Sequence, residues 1–202
     1  MVDDATHSTR KGVHRMPVLA AANGDALTAI SIAPLEASAR FSLRLRAAST
    51  AELGKSDPFR FDMPVNTCIV EDGRTIARLG PDEWILLDSD AQGESLAREV
   101  DAALAGKVFS RVDISHRNVG IVVAGIHARE VINGGCPLDL HDTAFPPYSA
   151  TRTIFGKAEI ILIRPSVQAT YRVECWRSFA PYVSGLLREI AREFNSTSKA
   201  ER

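Results

Sequence analysis

Phosphate-binding loops are missing from this 202-residue chain: neither GxGxxG nor GxxxxGK[ST] occurs, so the usual nucleotide cradles are excluded. A basic excess is missing as well. With 24 Lys and Arg against 25 Asp and Glu, the net charge of −1 lacks the footprint of a nucleic-acid binder. No stretch approaches the roughly 18 apolar residues of a membrane span. Cys68, Cys136 and Cys175 are odd in number and widely spaced, so no disulfide framework is readable, and no CxxC offers a zinc site. Free thiols fit a reducing compartment, and the expected location is cytoplasmic. The five histidines include no HxxxH pair. The apolar run Met16–Ala22 is interrupted by Pro17, and Asp3 and Asp4 stand ahead of it, so it is not read as a secretory leader. Aromatics are only 6% of the chain, which predicts an aliphatic core.

What is present is a series of short strands with few helices. Phe41, Leu43 and Leu45 alternate with Ser42, Arg44 and Arg46, the period of a half-buried strand whose arginine face is expected to be solvated. Residues 47–64 read as irregular. A hairpin follows, 66–70 and 74–79, around Asp72-Gly73. Gly80-Pro81-Asp82 predicts a tight turn before a buried strand at Trp84–Leu87. Leu96, Val100 and Leu104 mark a helix stripe over 94–104. Strands are expected at 108–114 and 119–124, and a short helix at 128–132 that Gly134-Gly135 caps. A three-stranded meander covers 151–155, 158–164 and 170–175. An amphipathic helix, N-capped by Ser178, closes the series from 179 to 194. Strands in antiparallel-looking groups with helices between them predict an α+β fold, not an alternating βαβ sheet. The expected organisation is an arm over 1–26, one α+β unit over 27–195 divisible into two subdomains near 106–113, and a frayed tail over 196–202.

Three stretches hold residue types that carry chemistry. Asp113-Ile-Ser115-His116 contains all the side chains of a nucleophilic triad. Neighbours in an extended chain point to opposite faces, however, so the expectation is a turn organised by Asp113 and Ser115 rather than a hydrolase centre. Cys136, Asp139 and His141 could share a metal, but a lone loop thiol is more often inert. The loop from Cys136 to Ala150 combines three prolines with Leu138, Leu140, Phe145 and Tyr148. Its length and apolar content point to docking, onto its own body or onto another chain, and composition leaves both open.

Taken in order, five strings resemble the gamma subunit of heterotetrameric sarcosine oxidase. They are Arg78-Leu-Gly-Pro-Asp-Glu-Trp-Ile-Leu-Leu87, Asp113-Ile-Ser-His-Arg-Asn118, Cys136-Pro-Leu-Asp-Leu140, Thr151-Arg-Thr153 and Trp176-Arg-Ser-Phe-Ala180. The likeness covers about residues 60–194. It implies a fold similar to the first two subdomains of the folate-binding aminomethyltransferases, such as the glycine-cleavage T protein. It also implies an accessory role in oxidative demethylation of sarcosine to glycine, with the methyl carbon passed to tetrahydrofolate. FAD, FMN, NAD and tetrahydrofolate are then expected on partner subunits (alpha, beta and delta) and no cofactor on this chain. No catalytic, cofactor-binding or metal residue is carried over. Motif or interface candidates are Pro81, Trp84, Asp113, Ser115, His116, Arg117, Cys136, Asp139, Phe145, Tyr148 and Arg152. The alternative is a stand-alone folate-binding aminomethyltransferase-like protein. Self-association of the isolated chain is left open.

Overall fold

The computed structural model describes residues 29–53 and 57–200; the expected arm at 1–26 lies outside them. The elements in chain order are β1 (Ser31–Pro34), β2 (Ser38–Leu45), α1 (Ala47–Leu53), β3 (Thr67–Glu71), β4 (Arg74–Gly80), β5 (Glu83–Ser89), α2 (Gly93–Ala103), β6 (Phe109–Asp113), β7 (Asn118–Ala124), α3 (Ala128–Asn133), β8 (Ala150–Phe155), β9 (Ala158–Ile163), β10 (Thr170–Trp176) and α4 (Ala180–Ala200). The strands form two five-stranded sheets with the orders β1-β7-β10-β9-β8 and β3-β4-β5-β2-β6. Every pairing is antiparallel, so the chain has the α+β architecture expected from its pattern. The chain leaves the first sheet after β1, builds the whole second sheet, and returns between β6 and β7.

Continuous apolar runs explain why two sheets stack. In β9, Ile160 and Leu162 face α3 and α4, while Ile161 and Ile163 face the other sheet. In β5, Trp84 and Leu86 face α2, and Ile85 and Leu87 face the first sheet. A strand buried on both faces loses the polar alternation of a half-exposed one. The layers therefore run from α3 and α4, through the first sheet and then the second, to α2 with residues 57–63. Helix α4 seals the first sheet with Val183, Leu187 and Ala191. In the β3–β4 hairpin, Asp72 at φ 49° and Gly73 at φ 84° form the left-handed pair that suits the sheet twist.

Three expectations differ from the structure. Residues 47–53 form α1, although the segment is too short to show a helical period. Ser178 lies within a 3-10 turn, Arg177–Phe179, that leads into α4 rather than capping it. Helix α4 continues to Ala200, past the fraying point expected after Phe194. Gly134 caps α3 as expected, in ordinary right-handed conformation at φ −61°, so its glycine answers to packing. A Cβ at Gly134 would lie 2.7 Å from Ile190 Cγ2, and one at Gly135 would lie 2.5 Å from Phe155 Cε2.

Candidate functional site

The sequence-derived candidates gather at three separate places. Asp113, Ser115, His116 and Arg117 lie where the chain returns from the second sheet to the first. The Asp113 carboxylate accepts the Ser115 amide at 2.8 Å, and the Ser115 hydroxyl accepts the Arg40 amide at 2.9 Å. Hydrogen bonds from the Ser115 side chain and amide hold the Asp113 carboxyl below the usual carboxylate range. Ser115 thus serves the backbone where β2 stops pairing with β6. His116 is exposed, and its carbonyl accepts Arg177 Nε at 2.8 Å. Arg117 lays its guanidinium 5.7 Å from the Trp176 ring centroid. These contacts form a turn joined to the start of α4.

Pro81, Trp84 and Arg152 surround the β4–β5 turn. Arg78 clasps that turn, donating to the carbonyls of Gly80 at 3.2 Å and Pro81 at 2.7 Å, and to that of Met63 at 2.7 Å. Its guanidinium also lies 4.9 Å from the Trp84 ring centroid. Trp84 is fully buried and meets Phe61 edge-on, which makes it a core residue of the second sheet. Arg152 on β8 pairs with Glu83 on β5 and with Glu159 on β9, tying one sheet to the other. Burial pulls the Arg152 pKa down, but the two carboxylates outweigh it and leave it above its ordinary value.

The long loop docks on its own body. Leu140 and Phe145 are buried in the core under α3 and α4. Arg164 fastens the loop by donating from Nη1 to Asp142 at 2.7 Å and to the Phe145 carbonyl at 2.9 Å. Tyr148 is 46% exposed with a left-handed backbone at φ 66°. Its carbonyl accepts the Cys68 amide at 2.7 Å, so the loop's end is stitched to β3. Cys136 is buried 3.9 Å from the Thr153 hydroxyl, whereas Asp139 is exposed and bonds the His141 amide at 2.9 Å. Among the described residues, no group of three or more His, Cys, Asp or Glu could hold a metal ion. A cleft of about 240 Å³ opens elsewhere, between Phe59, Ile69 and Arg74, and none of the candidates lines it.

The model of the sarcosine oxidase, gamma subunit family matches residues 46–193, well over half of the chain. The chain belongs to that family. The sarcosine oxidase subunit gamma of Arthrobacter sp is 32% identical over 100 residues, which cover 50% of this chain and 48% of that protein. The protein of the same name from Corynebacterium sp. (strain P-1) is 31% identical over 100 residues, with the same shares. The alignment thus spans about half the length of these curated relatives. A chain of heterotetrameric sarcosine oxidase from Corynebacterium sp. U-96, in complex with pyrrole 2-carboxylate, superposes with a TM-score of 0.69 at 23% identity. That superposition covers 82% of this chain and 85% of the other. Aminomethyltransferase T of the glycine cleavage system from Bartonella henselae shares the fold with a TM-score of 0.59 at 9% identity, over 78% of this chain and 45% of that one.

One buried polar cluster joins the two sheets of this sarcosine oxidase gamma-family chain. Arg40 of β2 donates from Nε to Glu174 Oε2 at 2.7 Å, and Arg172 donates from Nε to Glu174 Oε1 at 2.7 Å. Arg40 and Glu174 are only 3% and 1% exposed. The arginine face of β2, expected to be solvated, is instead covered at Arg40 by the first sheet, while Arg44 remains outside and pairs with Asp82 and Glu83. Gly120 pairs with Glu174 across β7 and β10, and a Cβ there would lie 2.7 Å from Glu174 Oε1. The sequence signal was an acid flanked by apolar residues in β10, Val173-Glu174-Cys175.

Proposed function

We propose that the chain is a non-catalytic accessory subunit of a cytoplasmic sarcosine oxidase of the heterotetrameric kind. In this reading it supports oxidative demethylation of sarcosine to glycine, while larger subunits hold FAD, FMN, NAD and tetrahydrofolate. The observation that carries the reading is the family match over residues 46–193. The local geometry supports it: Ser115, the obvious nucleophile by sequence, has its hydroxyl committed to the Arg40 amide and not to His116. None of the described helices is long and apolar enough to cross a membrane. The physical contribution is a rigid two-sheet body whose surfaces position the partner domains.

Co-expression with candidate alpha, beta and delta subunits tests this. The chain is expected to co-purify with them in fixed stoichiometry, and the complex to show flavin absorbance, while the isolated chain stays colourless. A yellow isolated chain overturns the reading. So does micromolar binding of tetrahydrofolate by the isolated chain, the result expected of a stand-alone aminomethyltransferase-like protein.

A further inference from the structure

Two buried atoms of opposite character lack a partner on the helix-covered side of the first sheet. Arg164 is 5% exposed, and its Nη1 is committed to Asp142 and the Phe145 carbonyl. Its Nε is buried without a hydrogen bond to any described residue. Glu130 on α3 accepts from Arg129 through Oε1 at 3.4 Å, while its Oε2 is buried and equally unmatched. Folded chains leave few buried polar atoms unpaired, and an ionised one left so costs more than a neutral one.

Tyr171 brings the two together. The Arg164 guanidinium lies 5.8 Å from its ring centroid. The Tyr171 hydroxyl feels the charges of Arg164, Arg129, Asp142 and Glu130, with burial the largest effect, pushing its pKa up. Arg164 and Tyr171 are almost fully buried, whereas the side chains of Arg129, Glu130 and Asp142 are 39%, 39% and 64% exposed. The cluster therefore has a closed floor and an open rim, bordered by α3, the 136–150 loop and the turn from β9 to β10.

Charge and geometry select the occupant. Nε and Nη2 form the edge of a guanidinium that grips a carboxylate through two parallel bonds. On Arg164 neither atom bonds a described residue. Glu130 Oε2 is an acceptor and needs an N–H. Around Tyr171 two guanidiniums balance two carboxylates. A lone anion would meet Glu130 and Asp142, and a lone cation would meet Arg129 and Arg164, each an approach of like charges. We propose that this cluster binds a small zwitterion, a free α-amino acid whose carboxylate takes the Arg164 edge and whose ammonium donates to Glu130 Oε2. The site goes beyond the accessory-subunit reading and does not depend on it.

The test titrates the full-length chain with glycine, following the Arg164 Nε–H resonance and the melting temperature. A saturable shift of that resonance and a rise in melting temperature are expected. Acetate, methylammonium and N,N,N-trimethylglycine, which keeps both charges but has no N–H, are expected to bind at least tenfold more weakly. Glu130→Ala removes an unpaired buried acceptor, so the free variant should melt at or above the wild-type temperature while binding glycine at least tenfold more weakly. Arg164→Lys keeps the charge without the two-bond edge and should weaken binding as well; Glu130→Ala decides the matter if the lysine loosens the loop. No response to glycine, an equal response to acetate or trimethylglycine, or wild-type affinity in Glu130→Ala overturns the proposal. An ordered water joining Arg164 Nε to Glu130 Oε2 in a glycine-soaked crystal does the same. The accessory-subunit reading is tested separately, by co-purification.

Discussion

Arg40 and Glu174, separated by 134 positions in the chain, meet at 2.7 Å in the space between the two sheets. Arg40 enters from β2 of the second sheet and Glu174 from β10 of the first, and Arg172 holds the other carboxylate oxygen. A buried carboxylate shared by two guanidiniums is a specific fastening, because only one registry of the sheets brings the three groups together. Replacing such a set with apolar groups is often tolerated, but removing one member strands the rest. Glu174→Gln leaves Arg40 buried without a counter-charge. It is expected to cost about 3–5 kcal/mol, read as a fall in urea midpoint. A loss below about 1 kcal/mol would show that the sheets do not depend on this cluster.

Gly120 and Gly185 make a paired prediction with opposite signs. At Gly120 an added methyl would collide with Glu174 Oε1 and Leu35 Cδ1, both at 2.7 Å, and crowd Arg40 Nη2 at 3.2 Å. Gly120→Ala is expected to destabilise by about 1–3 kcal/mol through overpacking. Gly185→Ala meets open space and is expected to stabilise by about 0.5–1 kcal/mol through helix propensity. Thermal melts of the two variants should move in opposite directions.

Ser115→Ala tests the turn between the sheets. It removes the acceptor of the Arg40 amide and one of the bonds holding the Asp113 carboxyl low. The expected loss is about 1 kcal/mol. A carboxyl depressed in the folded state adds stability above its unfolded pKa, and that stability is lost as pH falls through the folded value. The variant should therefore lose part of the acid-side slope of its stability curve. The Asp113 carboxyl resonance should titrate closer to the ordinary carboxylate range, and an unchanged titration would contradict the assigned bonds.

The thiols should be silent in the folded chain. All three cysteines are buried, and burial pushes Cys68 up to about 12 and Cys175 up to about 11. Only the thiolate reacts readily. A disulfide reagent at pH 8 is expected to label all three thiols after denaturation and to label the native chain only as fast as it opens. Rapid native labelling would place a thiol at the surface.

The local elements were legible because local signals make them. Asp72-Gly73 set the hairpin turn, the period of Leu96 and Val100 set α2, and that of Val183 and Leu187 set the buried face of α4. The α1 segment escaped notice because seven residues carry too little period. The docking of the 136–150 loop was undecidable from composition, since Leu140 and Phe145 would suit an internal or a foreign surface equally. Arg164, whose donors fasten that loop to its own body, lies outside the segment and well along the chain.

The sequence by itself determined the strand and helix periods, the antiparallel character and the family likeness, because each depends on neighbours a few residues apart or on short ordered strings. Only the tertiary structure decided which sheet each strand joins, that the arginine face of β2 is closed at Arg40 and open at Arg44, and that Ser115 serves a backbone amide. Those outcomes depend on pairings between residues as distant as Arg40 and Glu174, where burial and charge are set by what folds back over a strand and not by the strand's own pattern.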